Sequence, residues 1–141
     1  MEKEILKNKI VDVLKRSVLA AVATVKDGKP RVRYMVVMQG SGLSLWTTTF
    51  TQSRKIQEIQ NNKNIDLIIG GDEKNFRAPY LNVRATAEVL TDIETKKKYW
   101  NDMLKSYYSG PEDPHLAIIL ISPQVIEYMS GDSMTPEVYT V

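Results

Sequence analysis

Apolar positions in this chain follow two rhythms, one near helical spacing and one of period two. Between Lys3 and Lys15, Ile5, Leu6, Ile10, Val13 and Leu14 recur close to helical spacing among lysines and glutamates, which predicts an amphipathic helix over residues 1–15. Ser17 to Lys26 is rich in valine, alanine and leucine, and Asp27-Gly28 is a strong hairpin signal. A second run, Pro30 to Gln39, ends at Gly40-Ser41-Gly42, and a third, Leu43 to Thr48, completes an expected antiparallel meander of three strands. Ile56 and Ile59 then share a helical face that ends at Asn61-Asn62, where asparagine tolerates the left-handed conformation of a helix terminus. Ile65 to Ile69 reads as an apolar strand closed by Gly70-Gly71, with a polar loop from Asp72 to Arg77.

The cleanest alternation lies between Leu81 and Leu90, with Val83, Ala85, Ala87 and Val89 on one parity. Asp92 to Tyr107 predicts a helix capped by Thr91 or Asp92 that buries Tyr99, Met103 and Tyr107. Leu116 to Tyr128 is a last strand in which Pro123 marks an edge or a bulge, and residues 129–141 read as a tail. Most connections are too short for the crossovers of a parallel sheet. The expected fold is therefore mainly β, a six-stranded antiparallel barrel carrying helices, as a single domain over 1–141.

Composition narrows the function. The chain has 141 residues, enough for a genuine core, and is 43% hydrophobic and 26% charged, an ordinary globular mixture. A net charge of +2 is too slight for a nucleic-acid face, and Lys96-Lys97-Lys98 beside Asp92 and Glu94 reads as a solvated helix surface. The absence of cysteine excludes disulfides, thiolate metal sites and a cysteine nucleophile, and His115 alone does not make a zinc site, so no metal is expected. No apolar run reaches the roughly 20 residues of a membrane span, and Met1-Glu2-Lys3-Glu4 lacks the grammar of a signal peptide. A soluble cytoplasmic protein is expected.

Candidate chemistry concentrates between Lys29 and Gly71. Arg33 sits on one strand, Thr47-Thr48-Thr49 ends another, and Ser53-Arg54-Lys55 opens the short helix. A phosphate monoester asks for a guanidinium fork, an ammonium, hydroxyl donors and free backbone N–H groups, and these residues supply each type. A helix beginning at Ser53 would add its amides and the positive end of its dipole.

The ordered block Asp27-Gly28-Lys29-Pro30, Arg33, Trp46-Thr47, Ser53-Arg54-Lys55 and Asn61-Asn62 resembles the FMN-binding split-barrel proteins. Within them it is similar to the pyridoxamine 5′-phosphate oxidase-like family, in the group of general stress protein 26. The likeness continues through Leu81-Asn82-Val83, Tyr99-Trp100, Tyr107-Tyr108-Ser109-Gly110 and Asp113-Pro114. It implies a split β-barrel of Greek-key type that binds FMN as a homodimer. On this resemblance Arg33, Ser53, Arg54 and Lys55 hold the FMN phosphate, with Thr47 and Thr48 assisting. Met35 and Val36 line the isoalloxazine, Trp46 lies near the ribityl chain, and Tyr80 reaches the flavin of the second subunit.

Three departures bear on activity. Arg84 stands where the family usually has glycine, and Tyr128-Met129 where a tryptophan often ends the final strand. The chain is also expected to lack the carboxy-terminal extension with which true pyridoxamine phosphate oxidases bind substrate. The resemblance thus implies either an FMN-dependent oxidoreductase of unknown substrate or a stress protein that sequesters flavin without turnover. A deazaflavin in place of FMN would use the same phosphate machinery. No catalytic residue is assigned; Tyr34, Tyr107, Tyr108 and His115 are the candidates for proton transfer.

Overall fold

A computed structural model describes residues 2–141. Its elements run α1 (Glu2–Arg16), β1 (Leu19–Lys26), β2 (Lys29–Val36), β3 (Met38–Gln39), β4 (Leu45–Phe50), α2 (Arg54–Asn61), β5 (Asn64–Gly70), β6 (Tyr80–Leu90), α3 (Ile93–Tyr99), β7 (Leu116–Met129) and β8 (Glu137–Thr140), with a 3₁₀ segment at Asp102–Ser106. The strands form one antiparallel sheet in the order β2-β1-β5-β6-β7-β4-β3, with β8 added on β7. Strands β5, β6 and β7 are consecutive neighbours, and β4, which precedes them in the chain, lies beside β7. That is the Greek-key arrangement. The six long strands are the six read from the pattern; β3 and β8 are additional.

The sheet curls around a core that includes Ile10, Val13, Val22, Leu45, Leu67, Leu81, Val83, Ile119 and Ile126. Period-two burial on β6 places Leu81, Val83, Ala85 and Ala87 inside, as the alternation requires. Asp27 and Gly28 take φ of 53° and 73°, the left-handed pair of a two-residue hairpin turn. Where β6 pairs β7, the register slips at Arg84/Ala85 so that Gln124 is left out of the ladder beside Pro123, the bulge that proline signalled. A second, smaller core of Leu104, Tyr108, Leu116 and Ile118, with Tyr99, Trp100 and Leu120 against it, covers the outer side of the β4–β7 pair. Helix α1 packs against β3, β5, β6 and β8, and α2 against β1 and β6.

Several local expectations are corrected. The meander of three strands does not form: Val37, 1% exposed, turns into the core and donates its N–H to the Val18 carbonyl at 2.7 Å, ending β2. Strand β4 therefore ladders with β3 and β7, not with β2. Helix α3 is shorter than expected because Trp100 and Asn101 are extended and Asn101 caps the 3₁₀ segment, accepting from the Met103 N–H. The break rotates the following residues, so Leu104 and Tyr108 are buried while Met103 and Tyr107 are exposed. Asn62 has φ of −148° and ends α2 in extended backbone; its side chain accepts from the Asn64 N–H instead. Residues 137–140, expected in a tail, pair with β7. Lys96, expected on a solvated face, is 6% exposed and donates to the Asp113 carbonyl at 2.9 Å. Ile5, counted with the buried face of α1, is exposed.

Candidate functional site

The β1–β2 register pairs Val22 with Arg33, Thr24 with Arg31 and Ala20 with Met35. Paired residues in an antiparallel ladder share a face, so the arginines stand on the side of β2 that faces the buried Ala20, Val22 and Thr24. Helix α2 packs against β1 and brings its first turn to the same place. The result is a basic cavity of about 290 Å³ lined by Lys26, Arg31, Val32, Arg33, Ser53, Arg54, Lys55 and Glu58. Five cationic side chains there meet one carboxylate.

Ser53 is the N-cap of α2, yet its side chain makes no capping bond. Its Oγ instead accepts from Lys55 Nζ at 2.9 Å. The first amides of a helix have no intrahelical acceptor, so this turn presents N–H groups and the positive dipole end beside the cationic side chains. Burial, followed by the Arg33 guanidinium, holds the Lys55 ammonium below the ordinary lysine value, with Glu58 pulling partly the other way.

Arg33 is held from three directions. Its Nη1 donates to the Val22 carbonyl at 3.2 Å and to Thr24 Oγ1 at 2.8 Å, and its Nη2 donates to Glu58 Oε1 at 2.8 Å. Thr24 Oγ1 in turn donates to Glu58 Oε1 at 2.6 Å. The Thr24 hydroxyl, then the Arg33 guanidinium, keep the Glu58 carboxyl below its ordinary value, overcoming the effect of burial. A carboxylate depressed in the folded state contributes stability that is present above its unfolded pKa, near 4.5, and is lost as pH falls through the lower folded value. Glu58→Gln is therefore expected to be less stable than the parent at neutral pH, the gap closing in acid. Denaturant unfolding at pH 7 and in the acid range checks this; a gap that stays constant with pH would count against the linkage.

Lys55 also lines a second, apolar cavity of about 340 Å³. Its walls come from β2 and β3 (Tyr34, Met35, Val36, Met38), from β4 (Thr47, Thr48, Thr49, Phe50), and from Met103, Leu104, Tyr107 and Tyr108 in and after the 3₁₀ segment. This cavity lies at the split in the barrel, where β2 and β4 share no ladder and are tied by Thr47 Oγ1 donating to the Val36 carbonyl at 2.6 Å. Phe50 and Tyr107 flank Tyr108, with ring centroids 5.2 and 6.4 Å from it. Burial raises the Tyr108 phenol above its ordinary value, so it stays protonated at neutral pH.

Arg33, Ser53, Arg54 and Lys55 thus share the basic cavity, and Met35, Val36, Thr47, Thr48 and Lys55 share the apolar one. Trp46 and Tyr80 line neither. Trp46 is buried in contact with Tyr99, ring centroids 4.9 Å apart. Tyr80 stands at the start of β6, paired with Gly70 and Met129. The hydroxyl hydrogen of Thr47 is taken by the Val36 carbonyl. Sequence reasoning missed Thr24, Glu58, Arg31 and Lys26 beside the cations. The one signal for Glu58 was its position three residues after Lys55, on the same helical face.

The donors fit a phosphomonoester: a guanidinium fork, an ammonium, a hydroxyl and helix amides in one cavity. The adjoining slot is lined by methionines, tyrosines and a phenylalanine, and suits a flat, largely apolar ring system. With the basic cavity it reaches the roughly 300–1,000 Å³ of small-molecule sites.

Residues 6–130 match the family described as pyridoxamine 5′-phosphate oxidase. General stress protein 26 of Bacillus subtilis is 35% identical over 136 residues, covering 96% of each chain. The crystal structure of general stress protein 26 from Bacillus anthracis superposes with a TM-score of 0.80 at 31% identity, over 96% of this chain and 98% of the other. A structure named F420 reductase shares the fold, with a TM-score of 0.63 at 24% identity over 82% of this chain and 93% of the other. The strand arrangement, the match over most of the chain and the likeness to both stress proteins place this chain in the pyridoxamine 5′-phosphate oxidase-like family of split-barrel proteins, in the group that includes general stress protein 26.

Proposed function

We propose that this chain binds FMN and acts as a flavin-dependent oxidoreductase. It would do so in the cytoplasm, as a single domain over residues 1–141 that pairs into a homodimer. One observation carries the reading: a basic cavity holding Arg33, Ser53, Arg54 and Lys55 shares Lys55 as a wall with an apolar, aromatic slot. A phosphate in the first and a tricyclic ring in the second would span the two. The family generally binds a flavin or a related cofactor, which supports the same assignment.

Flavin, when bound, supplies the electron chemistry; the protein supplies binding, orientation and exclusion of water. Arg33, Ser53, Arg54, Lys55 and the first amides of α2 would hold the phosphate. Thr48 would add a hydroxyl, while Thr47, tied to Val36, would shape the wall that Met35 and Val36 present to the ring. Trp46, through Tyr99, would support the facing wall formed by Leu104 and Tyr108. Tyr80, which lines neither cavity of its own protomer, would serve the partner. Leu19, Val32, Tyr34, Val36 and Ile68 leave apolar surface exposed on one side of β1, β2 and β5, which favours a dimer.

The test is anaerobic. The purified protein is expected to carry or take up FMN, and a competent donor among NADH, NADPH and a pyridoxine phosphate is expected to bleach the flavin band at about 1–1,000 per second. A second reading, a flavin-sequestering stress protein, is favoured by the lining of the apolar slot, which among the described residues holds no histidine or carboxylate to move a proton. Bleaching over hours with every donor would decide for it. If a deazaflavin displaced FMN in competition, the cofactor would be of the kind named in the F420 reductase relative.

A further inference from the structure

Glu58 is the one acidic residue lining a cavity otherwise suited to anions. A carboxylate in such a place would ordinarily repel a phosphate. Here it is 8% exposed, and one oxygen, Oε1, accepts both from Thr24 Oγ1 at 2.6 Å and from Arg33 Nη2 at 2.8 Å. Its charge is thus matched by a cation in contact, and the pair faces the cavity as a dipole more than as an anion. Among the described residues no other acidic side chain forms an ion pair with Arg33, and none forms one with Lys55.

The second consideration is repulsion among the cations. Arg33 and Lys55 lie close enough for each charge to disfavour the other, and Glu58 offsets that effect. Both hydrogens of Arg33 Nη1 are used inward, on Val22 and Thr24, and one on Nη2 is used on Glu58. A guanidinium has five N–H donors, so the second Nη2 hydrogen and the Nε hydrogen remain for a ligand. Without Glu58 the fork would keep only its Nη1 bonds to Val22 and Thr24, with no carboxylate to offset the second cation, and part of its ordering would fall to the ligand.

We propose that Glu58 is a positioning residue that fixes Arg33 next to Lys55 and thereby sets the site's preference for a phosphorylated over an unphosphorylated flavin. The proposal rests on the FMN reading above. It assigns the selectivity to a residue that touches Arg33 and not the ligand.

The experiment compares FMN with riboflavin, which has the ring and ribityl chain but no phosphate. Dissociation constants for both are measured on the wild type and on Glu58→Gln, which keeps an acceptor oxygen and loses the charge. Glu58→Gln is expected to weaken FMN by about tenfold and to leave riboflavin unchanged, so the preference contracts by the same factor. Thr24→Val, which keeps the shape and the Arg33–Glu58 ion pair but removes the bond to Glu58 and the one accepted from Arg33 Nη1, is expected to give a smaller contraction in the same direction. It also serves should Glu58→Gln fail to fold. The Nη resonances of Arg33 in ligand-free protein are expected to be slowed in rotation and exchange in the wild type and fast in Glu58→Gln, because the contact is made through Nη2. Tighter FMN binding in Glu58→Gln would overturn the proposal, because repulsion would then dominate. An unchanged preference, or equal losses for both flavins, would also overturn it while leaving the FMN reading intact. A wild type that binds no FMN would overturn both.

Discussion

Replacing Arg54 and Lys55 together by alanine is expected to weaken FMN binding by two orders of magnitude or more while leaving the fold unaltered and weakening riboflavin far less. Each charge-assisted hydrogen bond contributes roughly 1.5–3 kcal/mol, and a tenfold change in affinity is about 1.4 kcal/mol. Two such losses amount to roughly a hundred- to ten-thousandfold, with Arg54, the more exposed, at the lower end. Both residues lie in the first turn of α2, and neither belongs to the buried cluster, so stability changes little. Fluorescence titration of the two flavins against parent and double variant checks the claim, and an unchanged FMN affinity would remove these residues from the site. Lys55 adds a pH signature. Its ammonium is held below the ordinary value of 10.5, so FMN affinity should fall on the alkaline side at a lower pH than an ordinary lysine would give. That limb should vanish in Lys55→Met.

A second large effect concerns α1. Ile10→Ala is expected to destabilise the protein by roughly 2–5 kcal/mol, the usual range for truncating a fully buried aliphatic side chain. Ile10 is 0% exposed within the main core, in a helix that packs on β3, β5, β6 and β8. Ile5→Ala, on the same helix but 54% exposed, should cost less than about 0.5 kcal/mol. Urea midpoints at constant slope measure both. Equal effects at the two positions would mean that α1 does not sit on the sheet as described. The pair also marks a limit of periodicity: Ile5 and Leu6 both fit an apolar stripe, and only the packed surface decides which one it covers.

Much of the scaffold was legible because its causes are local. Alternation along Leu81–Leu90, the Asp27-Gly28 turn, the Asp92 cap and the Pro123 bulge each follow from a few neighbouring residues and a backbone preference. The errors came where distant contacts compete with local preference. Val37 leaves its strand to fill the core, which splits β2 from β3 and removes the expected pairing of β2 with β4. Leu104 and Tyr108 take the buried positions beside Leu116 and Ile118, so the run after Tyr99 is not one helix. Lys96 is drawn inward by a carbonyl seventeen residues away.

The site divides in the same way. Residue type, read in the order of the block, singled out Arg33 and Ser53-Arg54-Lys55 as candidates, because binding a phosphate demands guanidinium, hydroxyl and ammonium whatever the fold. That Arg33 shares a cavity with Lys55 follows from the β1–β2 register and from α2 packing on β1, both long-range outcomes. The Glu58 partnership is more remote still, joining residues twenty-five and thirty-four apart in the chain. Chemical capacity is a property of single side chains and can be read from their identities. Which charges face each other, and which of them is already neutralised, depends on distances that exist only once the sheet has curled and α2 has docked against it.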